Sequence, residues 1–240
     1  MKFVLFRMII GVILCAFAHV EALNDTSIDT GLLGAAWQIR TGGSHGPYYA
    51  LIVNGIFFDG ERLWDDRWQL IKRGVDFKDK RILELGCNIA LTSVYALKYG
   101  DAHSAVGVDL PDEQLKKHGI PLLMKAAHLT HRAFGVSVTM LQVNLNVDKN
   151  YEARIGRQYD VVVCMSLLKW VNDKERLLTY LSQFPEVLYE GHDSDDIEIE
   201  RFRRHGFTRY VRLGETHIGA SYTSNQRRTL FLFSDNQGAR

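Results

Sequence analysis

The spacing of apolar positions along the chain changes at about residue 81. Upstream, residues 31–62 mix glycine with aromatics, and the breakers at both ends predict a loop followed by a short hairpin over Leu51–Gly60. Leu63, Trp64, Arg67, Trp68, Leu70 and Ile71 then fall at helical spacing with a polar back, which predicts a helix over 62–73. From residue 81, short apolar runs alternate with helical stretches. Strands are predicted at 81–85, 105–109, 136–143, 159–165 and 185–189, with helices at 91–99, 121–133, 173–184 and 195–205. Pro121 suits a first helical turn, and Gly206 closes the last helix. Two further strands, 207–213 and 228–233, end the pattern. Strand, helix, strand at this spacing dictates right-handed parallel crossovers, and the unbroken run Val161 to Met165 marks a strand buried on both faces. The expectation is an α/β fold: a seven-stranded, mostly parallel sheet with helices on both faces and an antiparallel strand at its C-terminal end.

The first 23 residues do not belong to that pattern. Lys2 and Arg7 flank the apolar run Met8 to Ala18, like a signal peptide or a short anchor. Three readings stay open: a membrane-tethering segment acting through residues 3–20, a start codon placed too early, or a helix buried locally. No second run approaches the length of about 20 apolar residues that spans a bilayer. The division expected is 1–23 signal-like or tethering, 24–74 an N-terminal lid region, 75–235 the main domain and 236–240 a tail.

Composition narrows the chemistry. Twenty-nine basic against 28 acidic side chains give a net charge of +1, so no global field draws in a polyanion and a nucleic-acid partner needs a local patch. Cys15, Cys87 and Cys164 form neither a disulfide framework nor a zinc-ligand spacing; the last two read as small buried fillers in a reducing compartment. His128 and His131 share a helix without a third ligand and read as surface residues, so no metal site is expected. Arg201, Arg203, Arg204 and His205 read as a solvated helix face, with phosphate binding as the alternative.

In an open parallel sheet, ligands bind at the carboxyl ends of the strands where the order reverses. The turn Gly86-Cys87-Asn88-Ile89-Ala90 follows the first strand, and Asp109 ends the second, 25 residues after Glu84. Gly86 lets the backbone turn sharply, the following helix start offers free amides, and a carboxylate at Asp109 can accept both hydroxyls of a ribose.

Glu84, the Gly86 turn and Asp109 together resemble the motifs of class I, Rossmann-like S-adenosylmethionine-dependent methyltransferases, over roughly residues 60–233. The resemblance implies that S-adenosyl-L-methionine is the cofactor, with Glu84 and Gly86 on its methionine side, Asp109 at the ribose, and Cys87, Asn88 and Leu110 among the residues that bind it. Asn144 then falls near adenine, and Met165 where cofactor and substrate meet. Ala90 stands where the family has a third glycine, so a less closely packed helix is expected. A nicotinamide-binding dehydrogenase is the rival, but it needs three glycines in that turn.

The acceptor side is sought after strands four and five. Ser166-Leu167-Leu168-Lys169-Trp170 resembles a stretch of RNA 5′-phosphate-capping methyltransferases and makes Lys169 and Trp170 the substrate candidates. Leu188-Tyr189-Glu190-Gly191-His192 is similar, more loosely, to bacterial methyltransferases that modify surface polysaccharides. It also gathers carboxylates that would suit an acidic pocket for sugar hydroxyls. His192 is the candidate base with Glu190 or Asp193 orienting it, and Ser194 to Asp196 are equally suited to cap a helix. Arg62, Trp64, Arg67 and Trp68 read either as a lid with tryptophan on adenine or as core packing. The function expected is O-methylation of a saccharide or glycolipid head group; an RNA or phosphate acceptor and a non-catalytic cofactor-binding scaffold are the alternatives. Such an enzyme is expected in the cytoplasm, or on a membrane facing it, rather than secreted or periplasmic. No protein partner is evident.

Overall fold

The computed structural model describes residues 24–41, 47–117, 122–217 and 227–236. Residues 1–23, with the tethering run, and Pro121 lie outside the described residues. The chain begins with α1 (Thr30–Thr41), then a small sheet of β1 (Tyr49–Val53), β2 (Ile56–Phe58) and β3 (Arg62–Leu63), and α2 (Trp64–Gly74). Asn54 and Gly55 both take positive φ at the β1–β2 connection, the two-residue turn that the Asn-Gly pair prefers. The main sheet follows: β4 (Arg81–Leu85), α3 (Leu91–Tyr99), β5 (Ser104–Asp109), α4 (Asp112–Lys117), α5 (Leu123–Phe134), β6 (Thr139–Gln142), α6 (Tyr151–Ile155), β7 (Val161–Met165), α7 (Lys174–Leu181), β8 (Glu186–Glu190), α8 (Asp195–Arg204), β9 (Phe207–His217) and β10 (Arg227–Asn236).

The seven main strands lie in the order β6-β5-β4-β7-β8-β10-β9. All pairs from β6 to β8 are parallel, whereas β10 runs antiparallel to both β8 and β9. The order reverses between β4 and β7, which opens a crevice at their carboxyl ends. Alternate residues feed two cores. Ile82, Val161, Val163 and Leu188 join one face with α1, α2 and the small sheet, while Leu83, Leu85, Val162, Cys164, Val187 and Tyr189 join the other. Among the described residues no helix is long and apolar enough to cross a membrane.

Besides the short helices α4 and α6 and the two-residue β3, which the sequence pattern did not announce, two elements depart from the sequence expectation. Helix α1 occupies part of the stretch read as a loop: Leu33, Ala36, Trp37 and Arg40 form a buried stripe, and Asp29 Oδ1 accepts from Leu32 N at 3.0 Å to cap the first turn. Gly31 and Gly34 had masked that period. Strand β6 starts at Thr139 and not at 136, because Gly135 in the left-handed region ends α5 and Val136 N bonds back to His131 O.

His131 is not a surface residue. It is buried under α5, with Nε2 donating to Ile89 O at 3.1 Å, and burial lowers its pKa to about 4 from an ordinary 6.5. The unfolded chain therefore binds one more proton than the folded one between these values, so stability is full above about pH 6.5 and falls on acidification toward 4. That loss is expected to reach about 3 kcal/mol, and His131→Gln should flatten the pH dependence of the urea midpoint across this window.

Candidate active site

The site is built where β4, β5, β7 and β8 end. Gly86 has φ 63°, and a Cβ there would lie 2.8 Å from the Leu167 side chain, so both conformation and contact require glycine. The turn then delivers Asn88 N to Asp109 Oδ2 at 2.7 Å, while Leu110 N reaches Asp109 Oδ1 at 2.7 Å. Burial raises the Asp109 pKa despite these two bonds and the nearby charge of Arg40. Gly86, Asp109, Leu110, Asn144, Leu167 and Trp170 line a partly open cleft with about 70 Å³ of free space. Asn144 is fixed there by its amide to Gln114 Oε1 at 2.6 Å.

The remaining predicted cofactor residues sit behind this wall. Glu84 is buried and accepts from Ser93 N and Oγ at 2.8 Å, which braces the first turn of α3. The Cys87 side chain is buried, and its backbone N–H goes to Val108 O at 3.1 Å. Met165 is buried at the end of β7. Ala90 takes φ 57°, a left-handed conformation that explains the usual preference for glycine, yet it is fully buried and the helix it starts packs tightly.

On the other side of the turn, Arg40, Tyr48, Tyr49, Asn88 and Ile89 line a second, narrower pocket of about 10 Å³, room for about one water. Arg40 is 3% exposed, and its Nε and Nη1 have no hydrogen-bond partner among the described residues. Burial lowers its pKa against the pull of Asp109, Asp112 and Glu61. A buried guanidinium with two open donors facing a cavity is suited to an anionic group. The sequence reading missed it because it lies in the last turn of the unpredicted α1; the Asp29 cap was the available signal.

Glu190 does not have the freedom of a base or an orienting residue. It is 0% exposed; Arg67 Nη2 donates to both its oxygens at 2.8 and 3.0 Å, Arg62 Nη1 lies at 3.3 and 3.4 Å, and Ser166 and Thr216 add hydroxyl donors. Burial alone would raise its pKa, but Arg67 and Arg62 outweigh it and hold the group near 2. The arginines once read as lid residues are therefore anchors. Trp64 and Trp68 are core residues, with Trp64 ring centroids 5.1 Å from Tyr49 and 5.3 Å from Tyr95. The acidic pocket is also corrected: Asp193 pairs with Arg201 at 2.7 Å, Asp195 with Arg212 at 2.8 Å, and Glu198 with Arg201 and Tyr189. His192 lies in the loop after β8; burial first, then Arg228 and Lys169, lower its pKa to about 4. Lys169 and Trp170 stand on a single 3₁₀ turn, and Trp170 is 68% exposed at the rim of the larger cleft.

No protein-family model matches the sequence, and no curated protein matches it. Solved structures do match in shape. The N-terminal domain of EvdMO1, crystallised with S-adenosylhomocysteine and D-fucose, superposes with a TM-score of 0.56 at 16% identity, covering 89% of this chain and 100% of that one. Full EvdMO1 gives 0.55 at 19%, covering 88% of this chain, which spans 48% of that protein. A Streptococcus pneumoniae protein described as a tRNA (m1A22) methyltransferase, in complex with S-adenosyl-L-methionine, gives 0.50 at 14%, covering 72% of this chain and 73% of that one. The chain has the class I methyltransferase fold. Since these methyltransferase-fold neighbours include one solved with a sugar and another described as acting on tRNA, the fold does not choose an acceptor.

Proposed function

We propose that the chain is an S-adenosylmethionine-dependent methyltransferase that O-methylates a saccharide or glycolipid head group. The observation that carries this reading is the pair of clefts on either side of the Gly86–Asn88 turn, one ended by a ribose-suited carboxylate and the other by an arginine with two donors that have no hydrogen-bond partner among the described residues. The residues fit the cofactor along its length. Asn144 and Leu110 flank the adenine side, Asp109 accepts the ribose hydroxyls, and Arg40 meets the methionine carboxylate. When bound, the cofactor supplies an electrophilic methyl group on a sulfonium. Glu84 and Cys87 support the turn from behind without touching it.

The exposed Trp170 indole favours a saccharide, since its flat apolar face can cover a sugar ring while the polar edge stays wet. Incubating the chain with radiolabelled S-adenosylmethionine and cell extract divided into glycan, lipid and RNA fractions is expected to label glycan or glycolipid. Label confined to RNA would overturn the acceptor assignment, and no transfer from any extract would favour a cofactor-binding scaffold.

A further inference from the structure

Beyond the methyl-transfer reading, the acceptor side of the site holds a marked excess of positive charge. Arg62, Arg67 and Arg228 all approach the one buried carboxylate of Glu190, with Arg228 Nη1 at 3.7 Å. Arg62 Nη2 and Arg67 Nη1 are buried without a hydrogen-bond partner among the described residues. The register that pairs Leu230 with Glu190 carries Arg228 to the level of His192, and Arg228 also donates to Ser166 Oγ just past the end of β7. Ser166 has φ 58°, a left-handed conformation that fixes its hydroxyl between Arg228 and Glu190. Lys169 is exposed on the neighbouring 3₁₀ turn, its Nζ 5.6 Å from the Trp170 ring centroid, with no ion pair among the described residues. Of the carboxylates that follow β8, Asp193, Asp195 and Glu198 are held by Arg201 and Arg212, and Asp196 is exposed in the first turn of α8.

The same arrangement leaves the site poor in proton acceptors. Both oxygens of Glu190 are taken by arginines and hydroxyls. His192, facing Arg228, Lys169, Arg62 and Glu190, is neutral near pH 7 but binds a proton weakly. An alcohol acceptor needs a base in the transition state, whereas an ionised oxyacid does not. Cations gathered on a partly buried surface favour an anionic partner and repel a cationic one.

We propose that the acceptor is an acidic saccharide whose ionised carboxylate or phosphate oxygen is itself methylated, held by Arg228 and Lys169 with its ring against Trp170. This rests on the methyl-transfer reading. A lone pair of the acceptor oxyanion forms the new carbon–oxygen bond as the methyl carbon–sulfur bond breaks, and that bonding pair stays on sulfur. The acceptor loses one negative charge, the sulfonium its positive charge, and no proton moves.

Binding tests the proposal without turnover. The chain loaded with S-adenosylhomocysteine and labelled with ¹³C in its histidine rings is titrated with galacturonate, glucose 1-phosphate and glucose, the His192 signal being assigned from His192→Gln. Either acid is expected to shift that signal and saturate, while glucose does not; which acid binds tighter separates carboxylate from phosphate. Lys169→Glu, at an exposed position, should weaken the acid about tenfold or more while leaving S-adenosylhomocysteine affinity unchanged. Glucose matching the acids, no acid-induced shift up to about 50 mM, or stronger competition by a 5′-phosphorylated RNA oligonucleotide would each overturn the proposal. Failure to bind S-adenosylhomocysteine would instead sink the methyl-transfer reading on which it rests.

Discussion

Glu190→Gln is expected to destabilise the fold by about 3–5 kcal/mol, because it leaves Arg62 and Arg67 charged, buried and without their counter-ion. The residue joins five parts of the chain: β3 through Arg62, α2 through Arg67, the end of β7 through Ser166, β9 through Thr216 and β10 through Arg228. Its proton affinity gives a similar size. A carboxyl held near 2 against an ordinary 4.5 corresponds to roughly 3 kcal/mol of stabilisation of the charged form. The folded pKa is the lower one, so this contribution is complete above about pH 4.5 and disappears as pH falls through 2. For a chain of this length the variant should melt about 10 °C below the parent at pH 7. A loss under about 1 kcal/mol would mean that the arginines find other partners and that Glu190 has slack for a chemical role.

Arg40→Met is expected to act on binding and not on folding. Removing a charged donor pair from a carboxylate costs about 2–3 kcal/mol, which is roughly 30- to 150-fold in affinity for S-adenosylhomocysteine. Binding of 5′-methylthioadenosine, which lacks the amino-acid portion, should not change. The empty protein should be at least as stable as the parent, since the substitution removes a buried guanidinium with two unpartnered nitrogens. Calorimetric titration of both ligands checks the pair of outcomes. Equal losses for both would place Arg40 at another part of the ligand, and no loss for either would remove it from the site.

The alternation from Arg81 onward made the main sheet legible, because parallel strands and crossover helices impose periods that a single sequence carries: Val161 to Met165 reads as a central strand and is one. The turn at Gly86 and the carboxylate at Asp109 were equally readable, since their positions follow from where a parallel sheet must open. What stayed hidden depends on distant segments. Glu190 looked like part of an acidic pocket until strands β9 and β10 brought Thr216 and Arg228 against it. His131 looked exposed until α5 packed over Ile89. Arg40 escaped because two glycines obscured α1, and its two open donors among the described residues are a property of folded space that no local pattern records.

Titrating S-adenosylhomocysteine into the parent chain and into Asp109→Ala is the most direct test of the cofactor site. The parent should bind with a dissociation constant at or below about 100 μM, and the variant about 100-fold more weakly or not at all, with Asp109→Asn intermediate because it keeps one acceptor for the turn. A parent chain that binds no S-adenosylhomocysteine, or an Asp109→Ala chain that binds it as well as the parent, would contradict the account.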